Sequence, residues 1–206
     1  MSGRDSTEIT TWVEGLCDSD EKRRIEAALK LYLAGVNLFM PLLTKWVDDL
    51  SFRDMTLPFS RITAEQKRNG PSTIIVGIAV RAETFERIRA ANGSPTLAEV
   101  PADQDAREFE IEMEDGSVKI DVLTTRDVGG SGAIARYLDK FGAGIQQIEL
   151  YVRDVDRTTE ILQSNFGLQP IYPATRAGAD GTRVNFFLAT TPDANKLLVE
   201  LVESKG

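Results

Sequence analysis

A chain of 206 residues, 42% hydrophobic and 27% charged, carries enough apolar material for one large or two small domains with cores of their own. With 32 acidic against 24 basic residues the net charge is −8, which repels a phosphate backbone and excludes nucleic acid as a principal partner. The chain has no histidine and a single cysteine, which excludes Ser-His-Asp triads, imidazole-bound zinc or iron, and an internal disulfide.

The lone thiol, Cys17, reads as a small apolar side chain, because no histidine is present to activate it. Its isolation fits a reducing compartment, and the polar start MSGRDSTE lacks the apolar run of a signal peptide. The expected location is the cytoplasm.

Residues 1–50 read as helical. Ser6 or Thr7 is placed to cap a first helix ending near Gly15, and Asp18 or Ser19 to cap a second with acidic Asp20 and Glu21 in its first turn. Ile25, Leu29, Tyr32, Leu33 and Val36 keep one apolar face, and Pro41 is expected to open a third helix. The apolar window 31–43 is interrupted by Asn37 and Pro41 and falls short of the roughly 20 residues that span a bilayer, so no membrane partner is expected. These helices need a surface to cover, which points to the following domain or to a second subunit, and a homodimer is the expected assembly.

Residues 51–71 carry Pro58 and the breaker Asn69-Gly70-Pro71, and read as a linker. From residue 72 the period changes. A buried strand is expected over 74–80, a helix over 82–91 stopped by Asn92-Gly93, and strands over 96–100, 107–112 and 118–124, the last two joined by Glu114-Asp115-Gly116. This makes residues 72–126 a β-α-β-β-β module. Residues 127–143 read as an inter-module helix; Gly130-Ser131-Gly132-Ala133-Ile134-Ala135 matches G-x-G-x-x-A, but polar Thr125-Arg126-Asp127 separates it from the strand that a dinucleotide site requires. Residues 144–206 then repeat the order: a strand over 145–152, a helix over 155–165 stopped at Gly167, and three strand-like runs. Overlaying the copies aligns Ile75 with Gln147 and Asp121 with Glu200.

Gly-Ala-Gly-Ile-Gln-Gln-Ile at 142–148, the Gly-rich turn at 176–182 and Leu-Leu-Val-Glu-Leu-Val-Glu at 197–203 resemble the second module of the vicinal oxygen chelate superfamily. Methylmalonyl-CoA epimerases and the C-terminal half of 4-hydroxyphenylpyruvate dioxygenases are most similar in pattern. The resemblance spans about residues 72–204 and implies an α+β fold in which two β-α-β-β-β modules form one glyoxalase-like domain behind the N-terminal helical segment.

In metal-dependent members of that superfamily the first and fourth strands of each module supply ligands. Carried over residue by residue, those positions are Ile75, Asp121, Gln147 and Glu200, with Gln146 in place of the histidine that usually precedes the ligand at 147. Both imidazoles are therefore gone and two carboxylates stay, so oxygen activation is not expected. If any metal binds, Asp121, Gln147 and Glu200 form an all-oxygen set suited only to a hard divalent cation; otherwise no cofactor is expected. Without metal, two carboxyls across an apolar pocket raise one pKa and become fit to move a proton next to a carbonyl. Glu200, between Leu198 and Val202, is placed facing inward, and adjacent Gln146 and Gln147 are expected on opposite faces. Three functions remain open. The first is a small-molecule isomerase, epimerase or lyase with Glu200 and Asp121 catalytic and Gln147 and Gln146 binding ligand. The second is a non-catalytic binding protein that sequesters a small molecule, and the third is an interaction protein whose pocket has closed.

Overall fold

A computed structural model describes residues 3–56, 74–113, 116–127, 129–191 and 196–203. Helix α1 (Gly3–Gly15) runs into α2 (Glu21–Val47) and the short α3 (Leu50–Met55). The first module follows as β1 (Ile74–Ala79), α4 (Ala82–Ala91), β2 (Ala106–Glu112) and β3 (Lys119–Thr125). After α5 (Ala133–Phe141) comes the second, β4 (Gly144–Tyr151), α6 (Val155–Phe166), β5 (Arg176–Ala177), β6 (Arg183–Thr190) and β7 (Lys196–Glu203).

The seven strands form one sheet in the order β2-β3-β1-β4-β7-β6-β5. At its centre β1 and β4 run antiparallel, each flanked by its own module's last strand in parallel. Both modules use the same register: Gly77 lies opposite Asp121 in the first, and Glu149 opposite Glu200 in the second. The internal overlay of Ile75 on Gln147 and Asp121 on Glu200 is therefore a feature of the folded ladders.

Strand alternation divides the sheet into two faces. Even-numbered residues of β1, β3 and β4, such as Val76, Val122 and Ile148, enter one apolar core with Leu31, Phe39, Leu43 and Trp46 of α2. Odd-numbered residues, such as Ile75, Asp121, Gln147 and Glu149, line a cavity on the other face. The N-terminal helices thus back the sheet and stay clear of the cavity.

Several local expectations change. Helix α1 begins at Gly3, upstream of Ser6 and Thr7, and α2 takes Asp20 as its N-cap, whose carboxylate accepts from Lys22 N–H at 2.9 Å. Pro41 does not start a helix but lies inside α2, on its exposed side, where the ring costs one backbone hydrogen bond without clashing with the core. The resulting 27-residue helix is by length and composition apolar enough to cross a membrane, yet its Leu31, Phe39, Leu43 and Trp46 are buried in the protein. The first residues of the expected linker are helical in α3, because the Asp49 side chain accepts from Phe52 N–H at 3.1 Å; the rest of that linker, from residue 57, lies outside the described residues. The strand expected over 96–100 is extended chain, held to β2 through Ala98 N–H to the Glu108 carbonyl at 3.0 Å. Glu114 and Asp115 of the expected turn also fall outside the described residues.

Candidate functional site

The concave face of the sheet encloses a cavity of about 700 Å³ to which both modules contribute, so the pocket has not closed. Its floor is the central strand pair and its walls are β2 and β3 on one side, β6 and β7 on the other. Ile75, Phe109, Leu123, Ile134, Ile171 and Phe186 give it apolar surface.

Into this surface the strands project Glu108, Asp121, Glu149 and Glu200. Asp121 and Glu149 are buried, while Glu108 and Glu200 keep some access through the cavity. Among the described residues none of the four has an ion-pair partner; Lys119 neutralises Glu110 at 3.0 Å and Glu112 at 3.2 Å instead. Buried anions without cations are costly, and the response is to hold protons. Burial first, and mutual repulsion second, push Glu108 up to about 8. Glu149 rises to about 7, mainly through burial, against a hydrogen bond from Gln147 that favours its charged form. Asp121 and Glu200 are raised well above the ordinary carboxylate range, again by burial first and by neighbouring Glu108 and Glu149 next.

Gln147 ties the cluster together. Its amide nitrogen donates to Glu200 Oε2 at 2.9 Å and to Glu149 Oε1 at 3.1 Å, using both hydrogens on carboxyl acceptors. Room for it comes from Gly77 on the neighbouring strand, since a β-carbon there would stand 2.5 Å from Gln147 Cγ. Gln146 also lines the cavity, contrary to the expectation that adjacent residues take opposite faces. The reason is a bulge: Gly77 pairs with Gln147 but Ile78 with Ile145, leaving Gln146 as the extra residue. Its Oε1 is buried without a hydrogen-bond partner.

The four residues singled out from the sequence therefore meet in one cavity. Sequence reasoning passed over Glu149 and Glu108. Glu149 carried a usable signal, because residues two apart on a strand share a face and Gln147 was already placed on the inner one.

Structural comparison relates this arrangement to solved proteins. A methylmalonyl-CoA epimerase from Mycobacterium tuberculosis is 32% identical over a match covering 64% of this chain and 87% of that one, with a TM-score of 0.53. The chain belongs to the vicinal oxygen chelate superfamily. A variant of Streptomyces coelicolor methylmalonyl-CoA epimerase in complex with 2-nitronate-propionyl-CoA is 26% identical, with coverage of 64% and 96% and a TM-score of 0.51. Another methylmalonyl-CoA epimerase, in complex with methylmalonyl-CoA and an ammonium ion, is 27% identical, with coverage of 64% and 93% and a TM-score of 0.51. No protein-family model matches the sequence. No curated protein matches it in a sequence search.

As a member of this superfamily the chain departs from the metal-binding pattern in its donors. Ile75 offers no ligand atom, and Gln147 presents its amide nitrogen to the two carboxyls rather than an oxygen to a cation. Of the all-oxygen set read from the sequence, Asp121 and Glu200 are carboxyls and Gln147 spends its amide nitrogen on Glu149 and Glu200; among the described residues no three carboxylates or thiols are grouped to hold an ion.

Proposed function

We propose that this protein is an isomerase or epimerase that moves a proton at a carbon adjacent to a carbonyl, with Asp121 and Glu200 as the proton-transfer pair. The observation that carries this reading is that Glu108, Asp121, Glu149 and Glu200 line one cavity, buried or largely so, and that none of them has an ion-pair partner among the described residues. Carboxyls in that state share fewer charges than their number, so one stands ionised as a base while another stands protonated as an acid. Asp121 and Glu200 occupy equivalent positions on the last strands of the two modules, and so approach a ligand between them from two sides.

The ionised member takes the proton from the carbon, the protonated member returns one to the opposite face, and the pair ends with its protonation exchanged. Gln147 holds Glu200 and Glu149 in place throughout, and the apolar wall keeps water from competing for the proton. The structural neighbours support a coenzyme A thioester as substrate, because methylmalonyl-CoA and 2-nitronate-propionyl-CoA are the ligands in their complexes.

The test is deuterium exchange at C2 of methylmalonyl-CoA, and of other 2-substituted acyl thioesters, followed by NMR in D₂O. Wild-type protein is expected to catalyse exchange, and Glu200→Gln to lose roughly 10²- to 10⁴-fold in rate while still binding ligand. Saturable binding with no exchange above the Glu200→Gln level would overturn the enzymatic reading and leave a sequestering protein.

A further inference from the structure

Among the described residues the cavity wall carries two cations, Arg136 and Arg176, and they are differently engaged. Arg136, near the start of α5, is satisfied within its own segment by the Ser131 carbonyl. Arg176, at the start of β5, has its guanidinium 4.2 Å from the centroid of the Tyr172 ring. Tyr172 in turn meets Phe186 edge-on at 6.0 Å, and all three side chains line the cavity. A planar cation stacked on an aromatic face is held in one orientation with its donors free to point elsewhere.

What those donors find is Asp103, from the other module. The Arg176 side chain is 25% exposed, but that of Asp103 is 64% exposed. A half-buried arginine is therefore balanced by a solvated carboxylate, an arrangement worth little to stability. Nor does the junction between the two loops depend on it. The same loops are joined by Glu99 N–H to Asp180 Oδ1 at 2.8 Å, by Asp180 N–H to the Glu99 carbonyl at 3.2 Å, and by Gln104 Nε2 to the Ala177 carbonyl at 2.8 Å.

We propose that Arg176, fixed on the Tyr172 ring, is the receptor for an anionic group of the ligand, and that Asp103 holds this position only until the ligand displaces it. The inference rests on reading the cavity as the ligand site, and it narrows the ligand to a carbonyl compound bearing a carboxylate or a phosphate. Within the cavity the ligand's anion meets Arg176 while its carbonyl end lies toward Asp121 and Glu200. The raised carboxyls help, since a wall that keeps part of its protons repels an anion less than four carboxylates would.

The experiment is calorimetric binding of three probes to the full chain. Methylmalonyl N-acetylcysteamine thioester carries a carboxylate and no phosphate, coenzyme A carries phosphates and no acyl carboxylate, and propionyl N-acetylcysteamine thioester carries neither. Arg176→Met is expected to weaken binding of an anionic probe roughly ten- to a hundredfold, the range of a charge-assisted pair, and to leave the neutral thioester unchanged. Loss on the methylmalonyl thioester identifies the anion as the acyl carboxylate, and loss on coenzyme A identifies it as a carrier phosphate. Asp103→Asn, which frees Arg176, is expected to tighten the same probe about two- to fivefold, an effect that a merely structural ion pair would not produce. Equal losses on all three probes, no loss on any, no saturable binding at all, or an unchanged affinity in Asp103→Asn would overturn the proposal. Exchange at C2 with binding indifferent to Arg176 sinks this inference alone; Arg176-dependent binding without exchange sinks the isomerase reading alone.

Discussion

Glu149 and Glu108 are held in the fold at a pH-dependent cost. Their folded pKa values, about 7 and about 8, lie above the ordinary 4.5, so the unfolded chain ionises them first as pH rises. Below pH 4.5 both states are protonated and the penalty is absent; between pH 4.5 and about 8 the native state loses stability, and above about 8 the loss is complete. We predict that the urea midpoint falls between pH 5 and pH 8.5, by roughly a few kcal/mol in stability over the cluster, and that Glu149→Gln flattens the slope. A midpoint that is level or rising over this range would show that the carboxyls are not buried together. The sequence made part of this legible. The alternation of Leu198, Glu200 and Val202 placed Glu200 among apolar neighbours, and the resemblance to the vicinal oxygen chelate superfamily brought Asp121 and Gln147 to it. Period two says which residues share a face but not which face is inside, and so it does not bring Glu149 and Glu108 into the site. The bulge at Gln146 was illegible, because it is a change of backbone register that no residue type announces.

At the scale of elements, α2 decides how tightly the sheet is backed. Gly35 lies where the helix crosses β1 and β4: an added β-carbon would stand 2.6 Å from both Val76 methyls and 3.2 Å from Ile148 Cδ1. We predict that Gly35→Ala destabilises the protein by about 1–3 kcal/mol despite alanine's higher helix propensity, because the helix must lift from the sheet. Pro41 is the opposite case. It is exposed inside the same helix, and Pro41→Ala restores a backbone donor with no change in packing, so thermal unfolding should show a gain of roughly 1–3 kcal/mol. If both variants shift in the same direction, the placement of α2 is wrong. Apolar spacing from Ile25 to Trp46 gave the helical character of this segment, but Pro41 divided it in two, since local propensity cannot register the buried face of Leu31, Phe39, Leu43 and Trp46 that carries the helix through. The reverse error occurred at 96–100, where strand-like composition met only one hydrogen bond to β2 and no ladder formed.

At the scale of the whole molecule, the cavity belongs to both modules and the core belongs to the modules and the helices together. Trp46 is 1% exposed and packs with Phe39 and Phe52 at 5.6 and 5.5 Å, in the same apolar cluster as Val76 of β1 and Ile148 of β4. The helices therefore cannot leave without exposing the back of the central strands. We predict a single unfolding transition, in which tryptophan fluorescence, reporting Trp12 and Trp46, coincides with the far-ultraviolet signal of the sheet. An N-terminal segment that only decorated the domain would give an earlier fluorescence transition. The outward side of α2 still presents Ile25, Leu29, Leu33 and Met40, each 39–49% exposed and all on one stripe. We predict that the chain forms a homodimer that covers this stripe. Folding coupled to pairing makes the midpoint rise with protein concentration. Leu33→Glu should remove that dependence and halve the mass measured by light scattering, with the transition still single, since Leu33 points away from the sheet. A wild-type mass of one chain at tens of micromolar, with a midpoint independent of concentration, would overturn the pairing and leave the single transition to stand on the shared core.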